Sequence, residues 1–202
     1  MKRTATAPKP PGSGEEGSTL VLYAVILSAL FVCLVLGFGA AGAMTIRTSQ
    51  ESALSAVREV EMAPAVSLAV KNSDDPGMAI ARRMGDELRE AGFADAIEVW
   101  FYEVPARELT PERRVYAYEV VLTTPYDVPF GGVVGMDRVD VTSSAVASAM
   151  PYAEFEAWRP AAPRNGVFRA SAGSSALAYE SKALSAMPEG IRGEIAADLD
   201  AT

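Results

Sequence analysis

Histidine is absent from this 202-residue chain, and cysteine occurs once, as Cys33. Without histidine there is no imidazole for a Ser–His–Asp triad, for acid–base catalysis near neutral pH or for a histidine-ligated metal. One cysteine forms no disulfide within the chain, so burial or packing against a partner must hold the fold together. We therefore expect no enzyme, with no catalytic residue, bound metal or cofactor.

Charged and amide side chains are missing from one long stretch, Ser18 to Ile46. These 29 residues contain no Asp, Glu, Lys, Arg, Asn, Gln or Pro. A helix of about 20 apolar residues crosses the hydrocarbon core of a bilayer, which is about 30 Å thick. The stretch predicts a single transmembrane helix over residues 18–46. Its predicted membrane residues include Leu20, Leu22, Tyr23, Ile26, Leu30, Phe31, Cys33, Leu36 and Phe38.

Charge is distributed unevenly around this span. Lys2, Arg3 and Lys9 lie with Glu15 and Glu16 in residues 1–17, a leader rich in Pro and Gly, whereas the residues after Ile46 are acidic in balance. Short basic flanks stay in the cytoplasm. We therefore expect the leader inside and the C-terminal domain outside the membrane, with the lipid bilayer as a partner. The negative charge argues against binding to nucleic acid.

The helix is predicted to continue beyond the membrane to about residues 62–70. Val57 and Val60 are among the apolar residues that recur there at helical spacing, and Gln50 is among the polar residues assigned to the other face. Pro64 prevents an undisturbed continuation. The segment after the membrane is thus expected to pack one face on the rest of the protein.

Residues 71–150 predict a small α+β head. Met78 to Ala91 has the apolar spacing of a short helix, and Gly92 is a natural end for it. The period then changes to two, which predicts an antiparallel sheet of about three strands over Ala96–Val104, Arg114–Thr123 and Arg138–Ala147. The connection 125–137 is apolar and is expected to pack down. Residues 151–202 are predicted to be a partly irregular extension, with weak signals for a small hairpin and a terminal helix.

Three stretches of the chain resemble the TadE/TadG family, the minor pilin-like proteins of tight-adherence (Tad/Flp) type IV pili. The first is GEEGSTLVLYAVILSALFVCLVLGFGAAGAM, similar to the family's charged, Gly-containing leader and membrane helix. The second is TIRTSQESALSAVREVEM, similar to the helix segment that follows the membrane. The third is VVLTTPYDVPFGGVVGMDRVDVTSSAVASAM, similar to the family's closing strands and the loop between them.

The resemblance implies a non-catalytic pseudopilin-like component or assembly factor in the bacterial cytoplasmic membrane. Its partners would be other pilin or pseudopilin subunits, the pilus assembly machinery and a prepilin peptidase. By position, the peptidase would cut after Gly17 and leave Ser18 as the new N-terminus, with a cut between Gly14 and Glu15 as the second choice. The glutamate usual at the fifth position after the cut is replaced here by Leu22.

Two other interpretations remain open from the residues alone. The chain could be a membrane-anchored extracytoplasmic binding domain unrelated to pili, in which case Gly17 is only a glycine at the start of a helix. It could also be a secreted protein, because Ala41-Gly42-Ala43 has the small residues of a signal-peptidase site. The mature N-terminus distinguishes these interpretations.

Overall fold

The computed structural model describes residues 15–61, 66, 69–70, 73–93, 96–109, 114–148, 163–170 and 176–200. Three α-helices and five β-strands lie in this part of the chain. In order they are α1 (Glu15–Glu61), α2 (Pro76–Glu90), β1 (Ala96–Glu103), β2 (Tyr116–Asp127), β3 (Arg138–Ser148), β4 (Gly166–Ala170), β5 (Leu177–Ser181) and α3 (Glu189–Asp200). The predicted α+β class, with a long apolar N-terminal helix, a short helix and an antiparallel sheet, is confirmed.

The five strands form one antiparallel sheet in the order β3-β2-β1-β4-β5. β1 is central because β4 pairs with its free edge, with Val99 opposite Phe168. The prediction of about three strands is therefore wrong in number, while the weakly signalled hairpin and terminal helix of the extension are present as β4–β5 and α3. β4 and β5 have five residues each, and runs that short carry little periodicity of their own.

Helices cover both faces of the sheet. On one face, Leu54 of α1 and Met84 of α2 pack in a core with Phe101, Leu122 and other buried residues of the strands. On the opposite face, a smaller apolar cluster includes Ile191 of α3. Burying a large apolar side chain contributes about 1.5–3 kcal/mol, so the sheet is stabilised from both sides.

Helix α2 has well-defined ends. Asp75 is its N-cap, with Oδ1 accepting a hydrogen bond from the backbone N–H of Met78 at 3.1 Å, and Pro76 occupies the first turn. Gly92, at φ 94°, follows the helix, and the N–H of Phe93 donates to the carbonyl of Leu88. This pattern is a Schellman ending, in which glycine adopts the left-handed conformation at little cost. The predicted stop at Gly92 is confirmed.

Candidate functional site: the long helix and the hairpin beside it

The first half of α1 is largely uncovered. Its apolar window has a mean hydropathy of 2.8 and is long enough, by length and composition, to cross a membrane. The predicted membrane residues Leu20, Leu22, Tyr23, Ile26, Leu30, Phe31, Cys33, Leu36 and Phe38 all lie on α1 and are exposed. Apolar surface of this extent is unfavourable in water, so the helix needs lipid or other apolar helices around it.

The second half of α1 belongs to the head. Leu54 and Val57 are buried in the main core, and Gln50 is 0% exposed. The Gln50 amide Nε2 donates to Thr124 Oγ1 at 2.9 Å and to the Val141 carbonyl at 3.1 Å, while Gln50 Oε1 accepts from Ser143 Oγ at 2.9 Å. The glutamine therefore fastens α1 to strands β2 and β3.

The predicted faces of this part of α1 need two corrections. Gln50, assigned to the polar side, is buried, and Val60, assigned to the apolar stripe, is 44% exposed. The cause lies in the sheet, because Thr124 and Ser143 offer partners to a buried amide. A buried polar group is tolerated when its hydrogen bonds are made.

The described end of α1 is tied to α2 by an ion pair. Glu61 is buried, and its Oε1 lies 2.8 Å from Arg83 Nε. This hydrogen bond, together with the charge of Glu61, raises the pKa of Arg83 above its ordinary value, against the effect of burial. α1 is thus held to the head by an apolar core, an amide network and a charged contact.

Strands β2 and β3 form a long hairpin that runs alongside α1 towards its apolar half. We call residues 128–136 the hairpin tip. The rings of Phe130 in the tip and Phe31 in α1 meet edge to face, with their centroids 6.2 Å apart. Val133 borders a shallow groove with Leu27 and Val32. The expectation that this connection packs down is met only in part, because the tip contacts the apolar helix while Phe130, Val133 and Met136 remain exposed.

Two glycines let the hairpin approach α1 closely. A Cβ on Gly42 would lie 2.0 Å from Tyr126 Oη, and one on Gly39 would lie 3.0 Å from Val128 Cγ1. Small residues on an apolar helix permit this kind of close contact. The sequence reasoning missed this contact, although the small residues at Gly39 and Gly42 were a local signal for it.

The predicted cleavage positions lie at the start of α1. Glu15, Gly17 and Ser18 are in its first turns, and Gly14 lies outside the described residues. The alternative site after Ala43 falls within α1 where the helix faces the hairpin. Among the described residues, no group of three or more His, Cys, Asp or Glu is placed to hold a metal ion.

A buried ion pair at the end of β1 also escaped the sequence reasoning. Arg114 Nε lies 2.6 Å from Glu103 Oε1, and both side chains are 4% exposed. Asn165, just before β4, accepts from the Glu103 N–H and donates to the Glu103 carbonyl. The ion pair ties the end of β1 to the residues before β2, and the Asn165 amide attaches the start of β4 to β1.

Comparison with known proteins leaves the family open. No family model, curated protein or solved structure matches this chain. The likeness to the TadE/TadG family stays a prediction that rests on the three quoted stretches.

Proposed function

We propose that this chain is a non-catalytic, pseudopilin-like component or assembly factor of a Tad-type pilus, anchored in the bacterial cytoplasmic membrane by α1 with its head outside. One observation carries the proposal. α1 is a continuous helix of 47 residues, largely uncovered and apolar in its first half and part of the head's core in its second half. Anchor and head therefore share one helix, with no flexible linker between them.

A helix shared by the anchor and the head suits a protein that functions by packing against other subunits. A helix of 47 residues is about 70 Å long at 1.5 Å per residue, of which about 30 Å is needed to cross the hydrocarbon core. The apolar surface that faces lipid in a single copy is able to face other helices in an assembly. Because α1 enters the core of the head, the packing of the helix would set the position of the head.

The contacts along α1 favour retention of the whole helix over release by a signal peptidase. Cleavage after Ala43 would separate Gly39 and Gly42 from the hairpin residues Val128 and Tyr126. It would also leave the apolar hairpin tip without its partner Phe31. A membrane anchor unrelated to pili keeps all of these contacts, so processing of the leader is the feature that distinguishes it.

The decisive experiment is the N-terminal sequence of the mature protein purified from native membranes, read by mass spectrometry. We expect the chain to start at Ser18. A start at Met1 would contradict prepilin-type processing and favour a plain membrane anchor. A start at Met44 would instead identify a secreted protein.

A matched pair of variants sharpens this test. Gly17→Leu should abolish the cut, while Gly14→Leu, three residues upstream in the same leader, should leave it unchanged. The reverse result would move the processing site to the bond between Gly14 and Glu15. Equal processing of both variants would contradict cleavage at either glycine.

A further inference from the structure

We propose that the hairpin tip is a second membrane-contacting element, which enters the outer leaflet of the bilayer beside α1. The occupant of its exposed surface is therefore lipid. The inference rests on the membrane-spanning role of α1 in the proposed function, and it holds with or without a pilus.

The composition of the tip is unusual for the end of a hairpin. Its sequence, VPFGGVVGM, has no charged or hydrogen-bonding side chain. Phe130 is 72%, Val133 65% and Met136 45% exposed. Turns at the ends of strands normally carry Asn, Asp, Ser or Gly and face water. An exposed apolar cluster of this kind marks a site of contact with another apolar phase.

The position of the tip along α1 agrees with the thickness of the bilayer's hydrocarbon core. Counted from Leu20, the first large apolar residue of the run, about 20 residues of helix cross the hydrocarbon core and end near Gly39. Val128, where the tip begins, lies against Gly39, and Phe130 lies against Phe31. The rise from Phe31 to Gly39 is about 12 Å of helix. The tip thus lies beside the outer half of the span, and Val133, which borders a groove with Leu27 and Val32, reaches the level of the bilayer centre.

Charged and amphipathic side chains flank the tip where the hydrocarbon would end. Arg138 Nε and Asp127 Oδ1 pair at 2.8 Å, with both side chains mostly exposed, at the base of the tip. Tyr126 places its hydroxyl against Gly42, one helical turn beyond Gly39. Tyrosine favours the membrane–water interface, where the ring contacts lipid and the hydroxyl contacts water. The ion pair and the tyrosine therefore flank the tip near the level of Gly39 and Gly42, where the hydrocarbon core would end.

Most backbone N–H groups of the tip form hydrogen bonds within the turn, which favours its transfer into lipid, where unpaired N–H groups are costly. Pro129 has no N–H. Five of the eight backbone N–H groups in the tip bond to carbonyls of the tip or of Asp137: Val128 to Asp137, Gly131 to Val128, Val133 to Phe130, and both Val134 and Met136 to Gly131. The turn is tight enough that a Cβ on Gly131 would lie 2.1 Å from the Met136 carbonyl oxygen.

The test uses the full-length chain with Cys33→Ala, reconstituted in lipid nanodiscs, with one new cysteine carrying an environment-sensitive fluorophore. Val133→Cys reports on the tip and Leu36→Cys on the span. Ala196→Cys, exposed on α3, is the control in water. Quenching by lipids with a nitroxide near the top or near the middle of the acyl chain is compared with quenching by aqueous iodide. We expect the Val133 and Leu36 labels to be blue-shifted and quenched by the lipids, and the Ala196 label to be quenched by iodide.

Each other outcome overturns part of the argument. A Val133 label quenched by iodide, with Leu36 quenched by lipid, refutes the insertion of the tip and leaves the anchor standing. A Val133 label shielded from both quenchers means that protein covers the tip, which also refutes the proposal. A Leu36 label quenched only by iodide removes the membrane anchor and, with it, both proposals.

A second variant tests the cause of the insertion. Phe130→Asp, added to the Val133 label, should abolish lipid quenching, because a carboxylate is costly in the outer leaflet. The Phe130 side chain is largely exposed, so the circular dichroism spectrum should not change. Unchanged lipid quenching in the Phe130→Asp variant would contradict the role of the apolar tip.

Discussion

Replacing Gln50 by leucine tests the hydrogen bonds that attach α1 to strands β2 and β3 of the head. The side chain is fully buried, and its amide makes hydrogen bonds to Thr124, Val141 and Ser143 at 2.9–3.1 Å. Leucine keeps most of the volume but offers none of these bonds. The substitution therefore separates the contribution of these hydrogen bonds to stability from the contribution of packing.

The expected loss follows from the groups that are left unpaired. A buried donor or acceptor without a partner costs about 1–3 kcal/mol, and hydroxyls recover part of this by rotating. The hydroxyls of Thr124 and Ser143 are able to rotate, whereas the Val141 carbonyl is fixed. We expect Gln50→Leu to lower the free energy of unfolding by about 2–4 kcal/mol. Adding Thr124→Val and Ser143→Ala should recover part of that loss, because the unpaired hydroxyls are then gone while the Val141 carbonyl stays unpaired.

The assay is urea unfolding of the full-length protein in detergent micelles, followed by tryptophan fluorescence. Ser52→Leu, on an exposed position of the same helix, is the control and should change stability by about 0.5 kcal/mol or less. Wild-type stability in Gln50→Leu would refute the buried amide network. If the triple variant is no more stable than Gln50→Leu, the unpaired hydroxyls of Thr124 and Ser143 do not contribute to the loss.

Three further predictions concern the head. Arg114→Met should lower the free energy of unfolding in urea by about 3–5 kcal/mol, because it leaves the buried Glu103 carboxylate without its partner. Adding Glu103→Leu should restore most of this loss, and equal stability of the single and double variants would contradict the prediction. Burial raises the pKa of Tyr118, so the folded state loses stability as pH rises past the ordinary tyrosine value of about 10. In melts between about pH 8 and about pH 11, Tyr118→Phe should lose less stability than wild type, and parallel losses would refute this. Asp75→Ala should cost about 1 kcal/mol by calorimetry, since it removes the N-cap bond to Met78; an unchanged melting temperature would argue against the cap.

Local patterns predicted much of this architecture. The apolar run from Ser18 to Ile46 indicated the long helix because helix length and hydropathy are properties of neighbouring residues. Gly92 marked the end of α2 because few other residues adopt its left-handed conformation. β1, β2 and β3 were recognisable because each is long enough to show alternation.

The sequence by itself therefore determined the long apolar helix, the short helix and the first three strands, since each follows from contacts a few residues apart. Only the tertiary structure decided that β4 pairs with β1, that Gln50 is buried and that the hairpin tip lies against Phe31. These contacts join residues far apart in the chain, such as Gln50 and Ser143. Whether a polar side chain is buried depends on what the opposite element offers it, and no local periodicity records that partner.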